Sequence, residues 1–254
     1  MKVSVITVCY NARSTIRDTI ESVIAQDYPD IEYIVVDGAS SDGTTEVLSE
    51  YRNRIDRLVS EQDAGIYDAM NKAWKMATGE FIGFLHADDC FSHEGCVRQI
   101  ADSAAASIAD VIITDVEIVA RSKTSRTLRH YSARGFSRRW FEQGDMPPHP
   151  GMYVRRSVFE RFGGFDRRFP ISSDFDFAAR VLYVHALKYE VLPLTLVRMR
   201  HGGMSTKWPM GPVRTIRDVY RSCRKNEIPI TPFSIVAKYL RKIGQLSFAA
   251  RQRS

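Results

Sequence analysis

Two adjacent carboxylates, Asp88 and Asp89, end the apolar run Phe81–Asp89 and have the types and spacing to do chemistry. Such a run is typical of a strand buried on both faces of an α/β sheet, and ligands lie beyond the carboxyl ends of those strands. Because close carboxylates repel each other, the pair favours a divalent metal shared with substrate phosphates. The alternative is a surface turn in which these acids cap a helix around His93–Ser103.

Other acidic side chains stand at the ends of predicted elements. Asp37 ends the second predicted strand, and Asp68 shares a helix face with Asn71, where it either points at a ligand or caps that helix. Asp174 and Asp176 lie in the first turn of a later helix, where the helix dipole favours carboxylates. We expect stabilisation of the dipole to be the role of Asp176, whereas Asp174 stays a candidate for chemistry.

The turn after the first predicted strand excludes two kinds of nucleotide site. Its residues, Cys9–Arg13, include no glycine. A dinucleotide-binding domain and a P-loop both need glycines there, because the backbone must approach the phosphates closely. If this sheet binds a nucleotide, the diphosphate must be neutralised in another way, and a metal on Asp88 and Asp89 would do so.

The elements that position these side chains alternate between strand and helix. The predicted strands are Val3–Val8, Ile31–Val36, Leu58–Ser60, Phe81–Asp89, Val111–Val119 and Met152–Arg155. The predicted helices start at about Ser14, Thr44, Ile66, His93, Arg156 and Asp174. This order predicts an α/β fold with a mainly parallel central sheet and helices on both faces. Between the last strands, Arg121–Arg134 is a polar and basic excursion, and Met146–Gly151 is a rigid Pro-rich loop.

Composition narrows the class of protein. The chain has 254 residues, of which 44% are hydrophobic and 26% charged, as in one ordinary globular domain with a tail. No apolar run approaches the ~20 residues needed to span a bilayer, and the first ten residues do not resemble a signal peptide. The four cysteines show no zinc spacing. We therefore expect reduced thiols and a cytoplasmic protein.

The net charge of +6 is concentrated in the C-terminal tail, where residues 211–254 hold ten Lys and Arg against two acidic residues. Two tail helices are predicted, about Pro212–Lys225 and Pro232–Ala250. Their apolar stripes are Val213, Ile216, Val219 and Tyr220, then Phe233, Val236, Ala237, Leu240 and Ile243. Basic residues beside the stripes favour docking on an anionic membrane surface. The alternative is that the stripes pack on the core or on a second subunit. A nucleic-acid partner is not expected, since the basic tail lacks interleaved surface aromatics.

Four ordered segments make residues 1–205 resemble the family 2 glycosyltransferases: VSVITVCYNA, VVDGASSDGT, DAGIYDAMNKAWKMATGEFIGFLHADD and ISSDFDFAAR. The resemblance implies a GT-A fold over residues 1–210, followed by the tail 211–254. It also implies inverting transfer from a nucleotide-diphosphate sugar, UDP by default, with Mn²⁺ or Mg²⁺. The chain is most similar to bacterial members that assemble surface polysaccharides. A saccharide or lipid-linked saccharide acceptor is therefore implied, with peripheral attachment to the plasma membrane as an expectation.

The resemblance implies roles on the nucleotide and metal sides of the site. The residues implied for the nucleotide are Thr7, Tyr10, Asn11 and Asp37, with Asp68 added from its place on a helix. His86-Ala87-Asp88 stands where the family carries Asp-X-Asp, which leaves Asp88 as the metal–diphosphate ligand, with Asp89 beside it. His86 and Ala87 then face the donor sugar or diphosphate. Lys72 or an arginine from elsewhere assists the diphosphate.

The resemblance implies Asp174 as the catalytic base, after a Ser173 that replaces an acidic residue of the family. His86 also replaces an acid. The alternative is therefore a catalytically inactive relative that binds a nucleotide sugar or a partner transferase. On the acceptor side we expect His149 of the Pro-rich loop and His201 of the segment Arg200–Lys207, with Gly202-Gly203 as the hinge of a lid.

Overall fold

The computed structural model describes residues 1–121, 123–202, 210–231 and 234–235, and its centre is a nine-stranded mixed sheet. The strands are β1 (Val3–Cys9), β2 (Ile31–Asp37), β3 (Arg57–Ser60), β4 (Phe81–Phe84), β5 (Asp89–Phe91), β6 (Val111–Ala120), β7 (Lys123–Tyr131), β8 (Met152–Arg155) and β9 (Tyr189–Arg200). Their order is β3-β2-β1-β4-β8-β6-β9-β5, and β7 pairs with β6. The half from β3 to β4 is parallel, as the β-α-β-α order predicts.

Helices cover both faces of the sheet. They are α1 (Ile16–Ile24), α2 (Thr44–Glu50), α3 (Ile66–Met76), α4 (Cys96–Ala106), α5 (Arg156–Phe162), α6 (Ser173–Ala178) and α7 (Met210–Lys225). One buried apolar cluster joins the sheet to α3, α5, α6 and α7, and a second joins it to α1, α2 and α4. The predicted α/β fold with helices on both faces is therefore confirmed.

The apolar run Phe81–Asp89 is not one strand, so the prediction of a single strand there is wrong. β4 ends at Phe84, the chain turns, and Asp89 begins β5. β5 pairs with β9 through the register Asp89↔Met199, at the far end of the strand order from β3. The helix expected around His93 begins at Cys96, so Asp88 and Asp89 do not cap it.

The basic excursion Arg121–Arg134 is mostly a strand. β7 pairs antiparallel with β6, through Val116↔Tyr131 and Glu117↔His130. The helix expected to start at about Asp174 is also divided. α6 ends at Ala178 and continues as a π-helix over Ala179–Val184, and Phe177, Val181 and Leu182 are buried.

The first tail helix packs on the core instead of presenting its apolar stripe to a membrane. Val219 is buried, and Ile216 and Tyr220 pack against the cluster that contains α6. Val213 alone among the four predicted stripe residues is largely exposed, at 59%. The stripe of α7 therefore follows the alternative prediction of packing on the core, and membrane docking of the tail stays a prediction. The second predicted helix, with Phe233, Val236, Ala237, Leu240 and Ile243, lies outside the described residues apart from Ser234 and Ile235. Within the described ranges, no helix has the length and apolarity to cross a bilayer.

Candidate active site

The carboxyl ends of three neighbouring parallel strands meet at one edge of the sheet. Cys9 at the end of β1 stands beside Asp37 of β2, and Asp37 stands beside Ser60 of β3. The loops that leave these ends carry Tyr10 and Asn11, the glycine turn after Asp37, and the segment that leads to α3. This edge is the place where an open α/β sheet binds its ligand.

Asp37 holds this edge together and has no exposed surface. Its Oδ2 accepts hydrogen bonds from the Ser40 amide (3.0 Å) and the Ser60 hydroxyl (2.7 Å). Its Oδ1 accepts from the Ser40 hydroxyl and from the Cys9 thiol at 3.5 Å. The carboxylate is therefore satisfied inside the protein, and a direct bond to a base or ribose, as the resemblance implies, would require these partners to move.

Two more of the predicted nucleotide residues are engaged by the protein. Asn11 adopts a left-handed backbone conformation (φ 50°). It links two loops, because its backbone N–H donates to Ser40 Oγ (2.8 Å) and its side-chain Oδ1 accepts from Ser41 N (3.0 Å). The Thr7 hydroxyl is buried, 3.1 Å from the Tyr33 hydroxyl. Thr7 shapes the edge of the sheet from within, and the exposed Asn11 fixes the loops above it.

Tyr10 and Asp63 are the side chains that open onto this edge. Tyr10 is 66% exposed and Asp63 is half-buried. A Cβ on Gly38 would lie 2.5 Å from Asp63 Oδ2 and 3.4 Å from the Tyr10 ring, so this glycine allows the two side chains to converge. Sequence reasoning missed Asp63. The glycine that directly follows Asp37 was the signal that a side chain approaches the backbone there.

Asp88 and Asp89 have different environments. Asp88 is half-buried in the turn after β4, whereas Asp89 is 1% exposed and its Oδ1 accepts no hydrogen bond from the described residues. Burial first, and then the charge of Asp88, raise the pKa of Asp89 well above its usual range. The expectation that both carboxylates open into the crevice is therefore wrong for Asp89, and Asp88 is the better candidate for a ligand.

A divalent metal fits Asp88 only if the substrate completes its coordination. Across the described part of the chain, no three His, Cys, Asp or Glu side chains cluster in a way that could hold a metal ion. Mg²⁺ does not need such a cluster, since it binds through one or two carboxylates, substrate phosphates and waters. The hard oxygen of Asp88 fits Mn²⁺ or Mg²⁺ on these terms.

Arg200 supports the turn that carries Asp88. Its guanidinium is buried, donates to the Asp88 carbonyl oxygen at 3.2 Å and forms an ion pair with Asp18 of α1. Sequence reasoning missed this contact, because Arg200 and Asp88 are 112 residues apart. His201, predicted on the acceptor side, is exposed directly after Arg200. Residues 203–207 of the predicted lid, including Gly203 of its hinge, lie outside the described residues.

His86 and His149 form a pair of stacked rings. Their rings stack with centroids 5.9 Å apart and an angle of 16° between planes. Burial lowers the pKa of each to about 4, and the nearby His149 contributes to the lowering of the pKa of His86. Asp88 and Asp174 act in the opposite sense on His86, so that it lies within the field of both. His149 also contacts Phe84 and Phe165 and is half-buried. The Pro-rich loop thus meets the predicted Asp-X-Asp position.

Asp174 is held on one oxygen and open on the other. Its Oδ1 lies 3.0 Å from the Tyr67 hydroxyl and accepts the Phe175 amide at 2.9 Å. No described residue donates a hydrogen bond to Oδ2. Burial raises the pKa of Asp174, while the Phe175 and Tyr67 hydrogen bonds oppose that shift. A carboxylate fixed in this way can accept a proton on Oδ2.

The remaining predicted residues lie in contacts within the protein. Asp68 accepts the Ala64 amide (3.0 Å) and pairs with Arg167 (3.0 Å), so it is engaged by the turn before α3 and by Arg167. Lys72 pairs with Glu61 at 2.8 Å and also donates to a backbone carbonyl. Its assignment to the diphosphate stays a prediction that would require Glu61 to release it. The side chain of Ala87 is buried beneath the turn.

Asn71 joins α3 to the loop before α6 instead of pointing at a ligand. Its Nδ2 donates to the Phe165 carbonyl (2.8 Å), and its Oδ1 accepts the Phe165 amide (2.9 Å). Ser173, which stands where the resemblance places an acid, is fully buried beside Asp174. The position at which the family carries an acid therefore lies in the buried core of this chain.

Comparison with known sequences assigns most of the chain. The model of Glycosyl transferase family 2 matches residues 4–163. TuaG of Bacillus subtilis (strain 168), a glycosyltransferase named for teichuronic acid biosynthesis, is 41% identical over 101 residues. That match covers 39% of this chain and 40% of TuaG, so less than half of the relative is spanned.

Comparison with solved structures supports the fold. S. aureus TarS 1-349 in complex with UDP matches with a TM-score of 0.66 and 21% identity, over 87% of this chain and 65% of that one. The mannosyltransferase PcManGT from Pyrobaculum calidifontis, in complex with GDP-Man and Mn²⁺, matches with a TM-score of 0.67 and 19% identity, over 98% of this chain and 73% of that one.

Proposed function

Because this chain belongs to glycosyl transferase family 2, we propose that it moves a sugar from a nucleotide-diphosphate donor to a saccharide acceptor with inversion at the anomeric carbon. The arrangement of Asp174 is the observation that carries the proposal. Its carboxylate is fixed through Oδ1 by Tyr67 and Phe175, while Oδ2 stays open. Inverting transfer needs one base and no covalent nucleophile, and Asp174 is a fixed carboxylate suited to that role.

Asp174 takes the proton of the acceptor hydroxyl on Oδ2 as that oxygen attacks the anomeric carbon. The bond from this carbon to the diphosphate breaks on the opposite face, and the electron pair leaves with the nucleotide. A glycosidase, by contrast, needs two carboxyl groups flanking the bond, one of them a general acid. His86 is neutral near neutral pH, because burial lowers its pKa to about 4. It therefore adds no charge between the base and the donor.

Asp88 would hold a metal together with the substrate diphosphate, and Tyr10 with Asp63 provides the surface for the nucleoside. A bound Mn²⁺ or Mg²⁺ would act as the Lewis acid that neutralises the leaving diphosphate. UDP is the donor nucleotide we favour, since TarS, which has a similar fold, has been solved in complex with UDP. PcManGT, which also has a similar fold, is in complex with GDP-Man. The name of TuaG supports a surface polysaccharide as the product.

Binding and turnover measured together test this function. We expect calorimetry with UDP-, GDP- and dTDP-sugars to find one donor that binds more tightly with Mn²⁺. Release of its nucleotide should then depend on a saccharide acceptor. The second candidate is an inactive relative, which the replacements at His86 and Ser173 favour. Metal-enhanced binding without nucleotide release, with every acceptor class tried, would support that candidate and contradict ours.

Tyr67→Phe is expected to shift the acid limb of the kcat–pH profile to higher pH. Asp174 works when deprotonated, and the Tyr67 hydrogen bond lowers its pKa against the effect of burial. Losing that bond raises the pKa, so activity disappears sooner as the pH falls. On the alkaline plateau kcat should fall by less than about tenfold, because one hydrogen bond contributes about 1 kcal/mol.

Tyr28→Phe is the matched control, since its hydroxyl donates to the Met1 carbonyl, away from Asp174. Its kcat–pH profile should match that of the unmodified enzyme. An unchanged acid limb in Tyr67→Phe would mean that the Tyr67 hydroxyl does not act on the catalytic carboxylate.

A further inference from the structure

The helix that carries Asp174 is tied to α7 by a buried carboxylate. Asp176 has no exposed surface. Its oxygens accept hydrogen bonds from Ser222 Oγ (3.0 Å), Lys225 Nζ (3.1 Å) and Asn226 Nδ2 (3.0 Å). A buried carboxylate needs such partners, because an unpaired charge in the core is costly. Asp176 lies in the first turn of α6, where the sequence predicts a partner of the helix dipole, and it also binds α7.

A second contact holds the other side of Asp174. The Ile171 amide donates to Oδ2 of Asp218, a buried residue of α7, at 3.2 Å. The Ile171 carbonyl oxygen lies 2.8 Å from the Tyr67 hydroxyl. α7 thus contacts the chain three residues before Asp174, at Ile171, and two residues after it, at Asp176. Ile171 also contacts the Tyr67 hydroxyl, which in turn contacts the Asp174 carboxylate.

α6 depends on these contacts because it is short and irregularly continued. It has six residues and passes directly into the π-helix Ala179–Val184. A helix of this length has too few internal hydrogen bonds to be stable by itself, so packing sets its position. A small rotation of its first turn would move the Asp174 oxygens relative to the Asp88 turn.

We propose that Asp176, with Ser222 and Lys225 of α7, positions Asp174 for proton transfer, so that the catalytic unit includes α7. This inference rests on the proposed role of Asp174 as the base. Both α6 and α7 lie beyond the residues 4–163 that match the family model. Asp176, Ser222 and Lys225 are positioning residues, since Asp176 and Ser222 are fully buried, Lys225 contacts Asp176, and each acts through the backbone of α6.

Three single variants of α7 test the proposal in the full chain. Ser222→Ala removes one donor, Lys225→Met removes the cation, and Arg224→Met removes an equal charge from an exposed neighbour. We expect kcat to fall about 10- to 100-fold in Lys225→Met and less in Ser222→Ala, because displacement of a reacting group by about 1 Å costs up to ~10²-fold. Donor affinity by calorimetry should be unchanged, and Arg224→Met should behave as the unmodified enzyme.

The pH profile separates positioning from loss of fold. Misplacing Asp174 weakens the Tyr67 and Phe175 hydrogen bonds that lower its pKa. The acid limb of kcat should therefore move to higher pH in Lys225→Met, and Lys225→Arg should restore much of kcat by returning the cation. Unfolding of part of the sample would lower the active fraction at every pH without moving the limb. Ser222→Ala keeps the test open if Lys225→Met is too unstable to purify.

Two outcomes would overturn the proposal. One is a Lys225→Met enzyme whose kcat and acid limb equal those of Arg224→Met. The other is a loss of kcat in Ser222→Ala and Lys225→Met that follows only the folded fraction found by thermal unfolding. A failure of the proposed function would be seen separately, in Asp174→Asn. If Asp174 were not the base, that variant would retain turnover, and the α7 variants would not be required to change kcat.

Discussion

Asp174→Asn is expected to bind the donor normally but to lose about 10²- to 10⁴-fold in kcat, the usual contribution of a general base. The amide keeps the shape of the side chain, and its oxygen can still accept hydrogen bonds from Tyr67 and Phe175. It cannot take the proton of the acceptor hydroxyl. Because the base acts only in the transition state, kcat and kcat/KM should fall together. Steady-state kinetics and donor calorimetry measure the two parts.

A matched control is Asp102→Asn, which makes the same change on the exposed surface of α4. It should leave kcat and donor affinity unaltered. A loss in Asp174→Asn smaller than about tenfold would fall below the contribution of a general base. Asp174 would then be a partner of the α6 dipole, and the base would have to be sought elsewhere.

Asp88→Ala is expected to abolish metal-dependent transfer, with a loss of at least about 10³-fold, since a metal acting as Lewis acid contributes several kcal/mol. The remaining rate should no longer depend on the concentration of Mn²⁺ or Mg²⁺. The thermal stability should change little, because Asp88 is half-buried in a turn that Arg200 holds through the backbone carbonyl. Titration of the rate with each metal, in both proteins, gives the measurement.

Asp89→Asn provides the comparison for the neighbouring carboxylate. Asp89 is buried in β5, so we expect this variant to keep its dependence on metal. An equal loss in both variants would mean that Asp89 also reaches the metal. Full activity of the unmodified enzyme in EDTA would contradict the assignment of Asp88 as a ligand of a required metal.

Local patterns were enough to predict the elements of the parallel half of the sheet. The continuous apolar runs of β1 and β2 indicate strands that are buried on both faces. The spacing of Ile16, Ile20 and Val23 indicates which side of α1 is buried. Right-handed crossovers then leave little choice of topology. For the same reason the sequence alone placed Asp37 and Asp88 at the carboxyl ends of predicted strands.

Side-chain environments needed the tertiary structure, because they depend on partners far away in the chain. Whether Asp37 opens to a ligand is decided by Ser40 and Ser60, and both close on it. Asp88 and Asp89 are neighbours in sequence, yet the pairing of β5 with β9 buries only the second. Strand alternation was not visible there, because three residues give no period to read.

The sequence by itself determined the fold class and predicted both the edge of the sheet for a ligand and the candidate carboxylates Asp88 and Asp174. Only the tertiary structure decided which of them are open, that Tyr67 holds Asp174, and that α7 packs on the core through Asp176. The physical reason is the range of the interactions. Burial patterns and turn residues act over a few positions, whereas a buried carboxylate takes its partners from wherever the packed chain brings a donor.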